Sequence, residues 1–237
     1  MRCFPSATPI YHDTPLSTIN ADVIINCGWP TSSQLYHDEQ YQEQGVLFLR
    51  NLLASVNCRK FIGVGSQSEV YRSDTVHAKI REKARSEAST ECRRRGIDFA
   101  WMRVFSVYGT GDTSVRFIPY IIDELLHGRV PVLSNCELMW DFLHVSDAAS
   151  AFVKVATCGA TGVFDVGSGT PVRMRDVAIM IRDMIDPTLR LEFGRRPVKS
   201  YDLKSTQADT QRLRDLGWKP EIDIHYGLRM LIEETRK

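Results

Sequence analysis

An α/β fold built on a parallel sheet is what this sequence predicts, and two observations predict it. Short apolar runs alternate with stretches of helical spacing through the N-terminal half. Those runs lack the polar alternation of a one-sided strand, so they read as strands covered on both faces. The order strand, helix, strand, helix, strand then calls for helical crossovers between parallel neighbours.

The elements follow in order. ADVIINC (21–27) is the first buried strand, and YQEQGVLFLRNLLASV (41–56) has helical spacing. KFIGVGS (60–66) is the second strand. Residues 78–95 are strongly helical, and Gly96 is a natural stop. IDFAWMRVF (97–105) is the third strand. The second half is less regular. It predicts a helix over 115–128 ending at Gly128, a short strand VPVLS, and a helix over 145–157 with Ser146 as N-cap. A strand and turn over 162–169, a helix over 173–185 and a short strand RLEFG come next. A helix over 209–220, stopped by Gly217 and Pro220, precedes a terminal helix from Gly227. No linker separates two blocks, so a smaller C-terminal lobe would be assembled from several chain crossings.

Composition narrows the function. Thirty basic and 29 acidic residues leave a net charge of +1 over 237 residues, which argues against nucleic acid or an anionic membrane as partner. The six cysteines, at 3, 27, 58, 92, 136 and 158, form no CxxC pair. Reduced thiols in a cytoplasmic protein, with no zinc, are the expectation. No segment has the apolar length of a membrane span, and no signal-peptide layout opens the chain.

Six motifs in sequence order carry a family resemblance: GSQSEVY, WMRVFSVYGTGD, FIPYIIDELLHG, MWDFLHVSDAASAF, FDVGSG and QADTQRLRDLGWKPEIDIHYGL. Together they resemble the extended short-chain dehydrogenase/reductase family of NAD(P)-dependent sugar-nucleotide epimerases, dehydratases and reductases. The nearest branch has a GSQxEY strand end and a WDF or WDY motif, as in O-antigen and deoxysugar pathways. The resemblance implies a doubly wound Rossmann sheet that binds NAD(P). It also implies a smaller C-terminal lobe over a nucleotide-sugar, with the pyrophosphate on a Gly-rich turn after the first strand.

Against that pattern, no GxxGxxG or GxGxxG lies near the N-terminus. The strand at 21–27 matches the family's fourth, so the expected fold is a truncated Rossmann-like parallel sheet lacking its first β-α-β unit. Residues 1–110 would form this incomplete core. Residues 111–237 would contribute the C-terminal α/β lobe and returning elements of the core. GVGS (63–66) and GTGD (109–112) fall at later strand ends and are not expected to serve as the pyrophosphate loop.

The family's catalytic tyrosine and lysine sit four apart on one helix. Counting back from Arg103 without gaps places His77 and Arg81 there; a two-residue gap places Lys79 and Lys83 instead. Tyr71 has no lysine at the fourth residue after it. His77 beside a fixed Arg81 charge is a candidate general base. The alternative, and the favoured reading, is that both are surface residues of a decayed site. Glu69 matches the strand-end glutamate, as acid/base or as a cap of the shortened loop. Ser66 matches the turn that supplies a hydroxyl to the sugar, and Gln67 takes the usual Ser/Thr place. By resemblance Phe105, Ser106 and Tyr108 face the nicotinamide and sugar phosphate, while Trp140 and Asp141 border the nucleotide. Arg116, Arg195 and Arg196 are candidates for holding a diphosphate. Arg103 is expected to be structural.

Three functions compete. The first choice is a cofactor-independent proton-transfer enzyme (isomerase, lyase or cyclase) using His77 or Glu69. The others are an NAD(P)-dependent sugar-nucleotide epimerase or reductase, and a non-catalytic partner of an intact homologue. No cofactor is expected under the first reading; NAD or NADP is under the second. The substrate is a small molecule, a nucleotide-sugar if the family's choice holds. The apolar strand at 21–27, left at a sheet edge, predicts a homodimer or a covering arm from MRCFPSAT.

Overall fold

The computed structural model describes residues 8–9, 15–16, 19–30, 37–112, 115–197 and 205–236. The chain divides into two units. Unit one comprises Met1–Val104, Ala149–Val166 and Gln211–Trp218; unit two comprises Phe105–Ala148, Gly167–Thr210 and Lys219–Lys237. The proposed covering arm falls almost wholly outside the described residues.

Unit one is a four-stranded sheet in the order β1-β2-β3-β7. Its strands are β1 (Asn20–Asn26), β2 (Asn57–Ser66), β3 (Asp98–Val104) and β7 (Gly162–Val166), and every pairing is parallel. Helix α1 (Glu39–Ser55) joins β1 to β2. The short α2 (Ser68–Tyr71) and long α3 (Val76–Arg95) join β2 to β3. The crossovers are helical because each strand is apolar on both faces and needs a cover. Asp38 caps α1 by accepting from the Tyr41 amide at 2.9 Å, and Thr75 caps α3 through Ala78. At the far end Gly96 turns left-handed at φ 68°, and Arg93, Arg94 and Arg95 sit in the last turn, where cations suit the helix dipole. The core joins Val46, Leu49 and Leu53 of α1, Ile80, Ala84 and Ala88 of α3, and Phe61 and Trp101 of the sheet.

Helix α5 (Val145–Thr157) starts in unit two and ends in unit one. Its C-terminal end is held by Lys60 of β2, which is 4% exposed and donates to the carbonyls of Val155 and, at 2.7 Å, Ala160. A buried ammonium is tolerated there because the last carbonyls of a helix need donors. Burial still lowers the Lys60 pKa. Helix α7 (Gln211–Asp215) covers β7, where Arg212 donates to the Thr161 carbonyl at 2.9 Å.

Unit two has two small pairings. β4 (Ser106–Tyr108) lies parallel to β6 (Phe142–His144), and β5 (Met139–Trp140) lies antiparallel to β8 (Val172–Arg173). Helices α4 (Phe117–Leu126), α6 (Met174–Ile185) and α8 (Ile224–Thr235) supply its core: Ile118, Ile121, Ile122, Val177, Ile181, Leu228 and Ile232. Three expectations need correction. VPVLS and RLEFG are not strands; they meet in an isolated bridge, Val132 to Glu192, and the Gly194 amide donates to the Ser134 carbonyl at 3.0 Å. Ser146 is not an N-cap: α5 begins at Val145, straight out of β6, and the Ser146 amide donates to His144 Nδ1 at 3.3 Å.

Among the described residues, no helix is long and apolar enough to cross a membrane, and the five described cysteines are free.

Candidate functional site

The carboxyl end of the unit-one sheet gathers the catalytic candidates. β2 ends as Gly63-Val64-Gly65-Ser66, still paired with β3, whose Trp101 is fully buried. A Cβ at Gly63 would lie within 3.0 Å of the Trp101 ring. One at Gly65 would lie within 3.0 Å of both Trp101 Nε1 and Glu69 Oε1. The two glycines of GVGS therefore form a slot for an indole, which is a packing reason for glycine. Trp101 Nε1 donates to the Glu69 carboxylate at 3.1 Å, and the Ser66 amide donates to Glu69 Oε1 at 2.8 Å. Arg85 approaches Glu69 at 3.6 Å. The Glu69 side chain is only 4% exposed, and burial raises its pKa in spite of these partners. Ser66 Oγ accepts from the Ser68 amide at 3.2 Å, and the Gln67 amide reaches the Val104 carbonyl at 3.0 Å. Glu69 thus organises the turn that carries Ser66 and Gln67.

His77 and Arg81 are buried, at 5% and 8% exposure, which corrects the reading of them as surface residues. The reason is their place on α3: with Ala84, Ala88 and Cys92 they continue its buried stripe. His77 Nδ1 pairs with Gln42 Oε1 of α1 at 3.2 Å. Burial, then the Arg81 charge and His37, lower the His77 pKa to about 3, so the ring is neutral. Arg81 lies 3.7 Å over the Trp29 ring and donates from Nη1 to the Val64 carbonyl at 3.0 Å. Trp29 Nε1 donates to that same carbonyl at 2.8 Å. The register explains the double claim: β1 follows β2 only to Asn26 beside Gly63, so the backbone of Val64 lies beyond the strand. Lys79 and Lys83, the gapped alternatives, are exposed, and Lys83 pairs with Glu43 at 2.5 Å. Arg103 is ion-paired to Asp165, its register partner on β7, at 2.5 Å.

Protein groups engage the side chains at these positions. The guanidinium at the lysine position is engaged by a carbonyl and an indole, the imidazole by an amide, and the GVGS glycines by Trp101. In GTGD, Gly109 turns at φ 149° against Val145, so its missing side chain makes room for α5.

In unit two the candidates centre on Asp141, which is fully buried. Its Oδ1 accepts from the Ser168 amide at 2.7 Å and from Ser168 Oγ at 2.8 Å. Its Oδ2 accepts from the Gly169 amide at 3.0 Å and the Ala208 amide at 2.8 Å. Asp141 therefore ties the Ser168–Gly169 turn and the strand-like 205–208 segment to β5 and β6. Trp140, next to it, is half-buried and donates from Nε1 to Ser106 Oγ. Phe105 and Tyr108 are interior at 4% and 2% exposure, as is Asp141. Burial pushes the Tyr108 phenol well up, with Asp223 and Asp147 adding to it. The three arginines are exposed: Arg116 pairs with Asp112 and Arg195 with Glu192, each at 3.3 Å, while the Arg196 amide bonds Leu133.

Sequence reasoning missed Trp29, Gln42, Lys60 and Asp147. Asp147, 4% exposed, accepts from the amides of Glu221 and Ile222 at 3.1 and 2.9 Å. The signal for Gln42 and His77 was present in helical spacing: both fall on buried stripes, and a polar residue on such a stripe needs a partner.

Comparison with known proteins agrees with this architecture. A model of the NAD dependent epimerase/dehydratase family matches residues 13–167. CDP-abequose synthase of Salmonella typhimurium is 29% identical over 144 residues, 58% of this chain and 48% of that enzyme. dTDP-glucose 4,6-dehydratase of Shigella flexneri is 25% identical, over 69% of this chain and 50% of that enzyme. The chain thus spans about half the length of these curated relatives. Among solved structures, the UDP-N-acetylglucosamine 4-epimerase of Methanobrevibacter ruminantium M1, in complex with UDP-N-acetylmuramic acid, superposes with TM-score 0.83 at 20% identity. That match covers 94% of this chain and 80% of that one. The UDP-glucose 4-epimerase of Thermotoga maritima, with UDP-glucose, gives 0.81 at 15% identity, over 91% of this chain and 77% of that one. With the match extending over most of its length, the chain belongs to the NAD dependent epimerase/dehydratase family.

Proposed function

We propose that this chain binds a nucleotide-sugar against Trp140 and runs no hydride transfer through α3. The observation that carries the reading is the fixed, half-buried indole of Trp140. It is tethered to Ser106 on one side and continues on the other into the buried Asp141, whose carboxylate accepts four hydrogen bonds. A rigid aromatic face with a polar tip suits stacking on a base or sugar at small entropic cost. The named relatives act on CDP-, dTDP- and UDP-linked sugars, which sets the ligand class to try. Calorimetric titration with CDP-, dTDP-, UDP- and GDP-sugars tests the reading. Micromolar binding to one of them, lost in Trp140→Ala, is expected. Binding to none, or binding unchanged in Trp140→Ala, would overturn it.

One observation favours proton transfer as a second reading. Glu69 is a carboxyl of raised pKa at the carboxyl edge of the sheet, where open α/β sheets take ligands. Glu69→Gln keeps the shape and removes the proton chemistry. Under this reading it abolishes cofactor-independent isomerisation or elimination of the bound sugar while leaving its affinity intact. Equal turnover in both proteins would rule Glu69 out.

A further inference from the structure

α3 presents one buried stripe, and it runs through the two residues that stand at the acid/base positions. His77, Arg81, Ala84, Ala88 and Cys92 all face inward. On a helix, steps of three and four residues keep a side chain on the same face. His77 and Arg81 therefore belong to the stripe that packs on α1 and β2, where the small alanines let the neighbouring helix approach. Each is held there by protein groups. Gln42 of α1 meets His77 at 3.2 Å; Trp29 lies beneath the guanidinium at 3.7 Å; the Val64 carbonyl takes one hydrogen bond from Arg81 and one from Trp29. Trp29 is itself wedged in place, since a Cβ on Gly45 of α1 would lie within 3.0 Å of its ring, and it meets Trp101 edge-on at 6.5 Å.

We infer that Gln42, His77, Arg81, Trp29 and the Val64 carbonyl form a closed lock joining α3 to α1 and β2, so that neither a cofactor ribose nor a substrate proton reaches the acid/base positions of this chain. To meet a ribose hydroxyl, the Arg81 guanidinium must leave the Trp29 face and the Val64 carbonyl. That strips a part-buried carbonyl of a charged donor and exposes an indole packed against Trp101. The family position is thus reused as a helix pin. This conclusion does not depend on where a nucleotide-sugar binds: Trp140 lies in unit two, and its binding test can fail while the lock stands.

The test uses the intact chain labelled with ¹³C and ¹⁵N, with the His77 Cε1–H resonance assigned by comparison with His77→Gln. The signal is followed over a pH titration, then under millimolar NADH, NADPH and UDP-glucose in turn. The lock predicts no titration between about pH 5 and 8, the range of an ordinary histidine, and no ligand-induced shift. Diethyl pyrocarbonate should leave His77 unmodified until the protein is unfolded. Arg81→Lys, which keeps the charge but loses the planar stack, should lower the thermal midpoint without changing nucleotide-sugar affinity. A His77 signal that titrates in that range, or one that moves on saturation with a dinucleotide or sugar nucleotide, would overturn the inference. So would an Arg81→Lys protein of unchanged stability but weakened ligand binding.

Discussion

Replacing Gly65 by alanine adds one methyl group where the structure has no room for it. The new Cβ would lie within 3.0 Å of Trp101 Nε1 and Glu69 Oε1. Neither neighbour moves freely: Trp101 is fully buried, its ring also lies against Gly63, and the Glu69 side chain is 4% exposed. Overpacking of this kind costs about 1–3 kcal/mol. Parting the indole from Glu69 leaves a buried donor and a buried carboxyl under-partnered, about 1–3 kcal/mol more. Against this, alanine is favoured over glycine in a strand by about 0.5–1 kcal/mol. The expected net loss is about 1–5 kcal/mol, centred on about 3. Urea unfolding followed by far-ultraviolet circular dichroism measures it. Gly96→Ala is the control, because that site opens on empty space and carries only its φ of 68°, which predicts a smaller loss of about 1–2 kcal/mol. Gly65→Ala combined with Trp101→Phe should be less damaging than the two single changes added together, a coupling of about 0.5–3 kcal/mol. A Gly65→Ala protein within about 0.5 kcal/mol of wild type would refute the indole slot and reopen GVGS as a ligand-facing turn.

Three further outcomes are expected. His77 has a folded pKa of about 3 against an ordinary 6.5, so between those values the unfolded chain takes up a proton that the fold refuses. Its stabilising effect is complete above pH 6.5 and is lost on acidification by about 1.4 kcal/mol per pH unit, or about 2 kcal/mol by pH 5. His77→Gln should flatten that part of a stability–pH curve, and an equal slope in both proteins would contradict it. The raised carboxyl of Glu69 works with the opposite sign, favouring the fold as pH falls through its folded value. Asp141→Asn sets an amide group against donors and should destabilise unit two by about 2–4 kcal/mol, read from its denaturant midpoint. Lys60→Met leaves the Val155 and Ala160 carbonyls without their buried donor and should lower stability by about 2–3 kcal/mol, seen as a lower thermal midpoint.

The sheet of unit one was legible because its strands are long, apolar and separated by periodic helices. ADVIINC, expected at 21–27, is β1 at Asn20–Asn26, and Gly96 does end α3. β4, β5, β6 and β8 went unread because two or three residues carry no period; their pairings are fixed by packing far along the chain. The candidate site was legible as a set of motif positions but not as a set of contacts. Motif order located His77, Arg81, Glu69 and Asp141, yet nothing local tells that Trp29 stacks on Arg81 or that Ser168 and Ala208 converge on Asp141. Those are contacts between residues distant in sequence. For His77 the buried stripe held the answer, and the polarity of the residue type outweighed it.

The burial of the indoles has an optical consequence. Of the four tryptophans, Trp101 is fully buried, Trp218 is 6% and Trp29 9% exposed, while Trp140 alone is half-open. A neutral collisional quencher such as acrylamide should therefore extinguish chiefly the emission of Trp140. The remaining fluorescence should be blue-shifted, as expected of indoles shielded from water. The protein thus carries its own reporter: a ligand that settles on Trp140 shields the one accessible emitter, and its arrival is readable without a label.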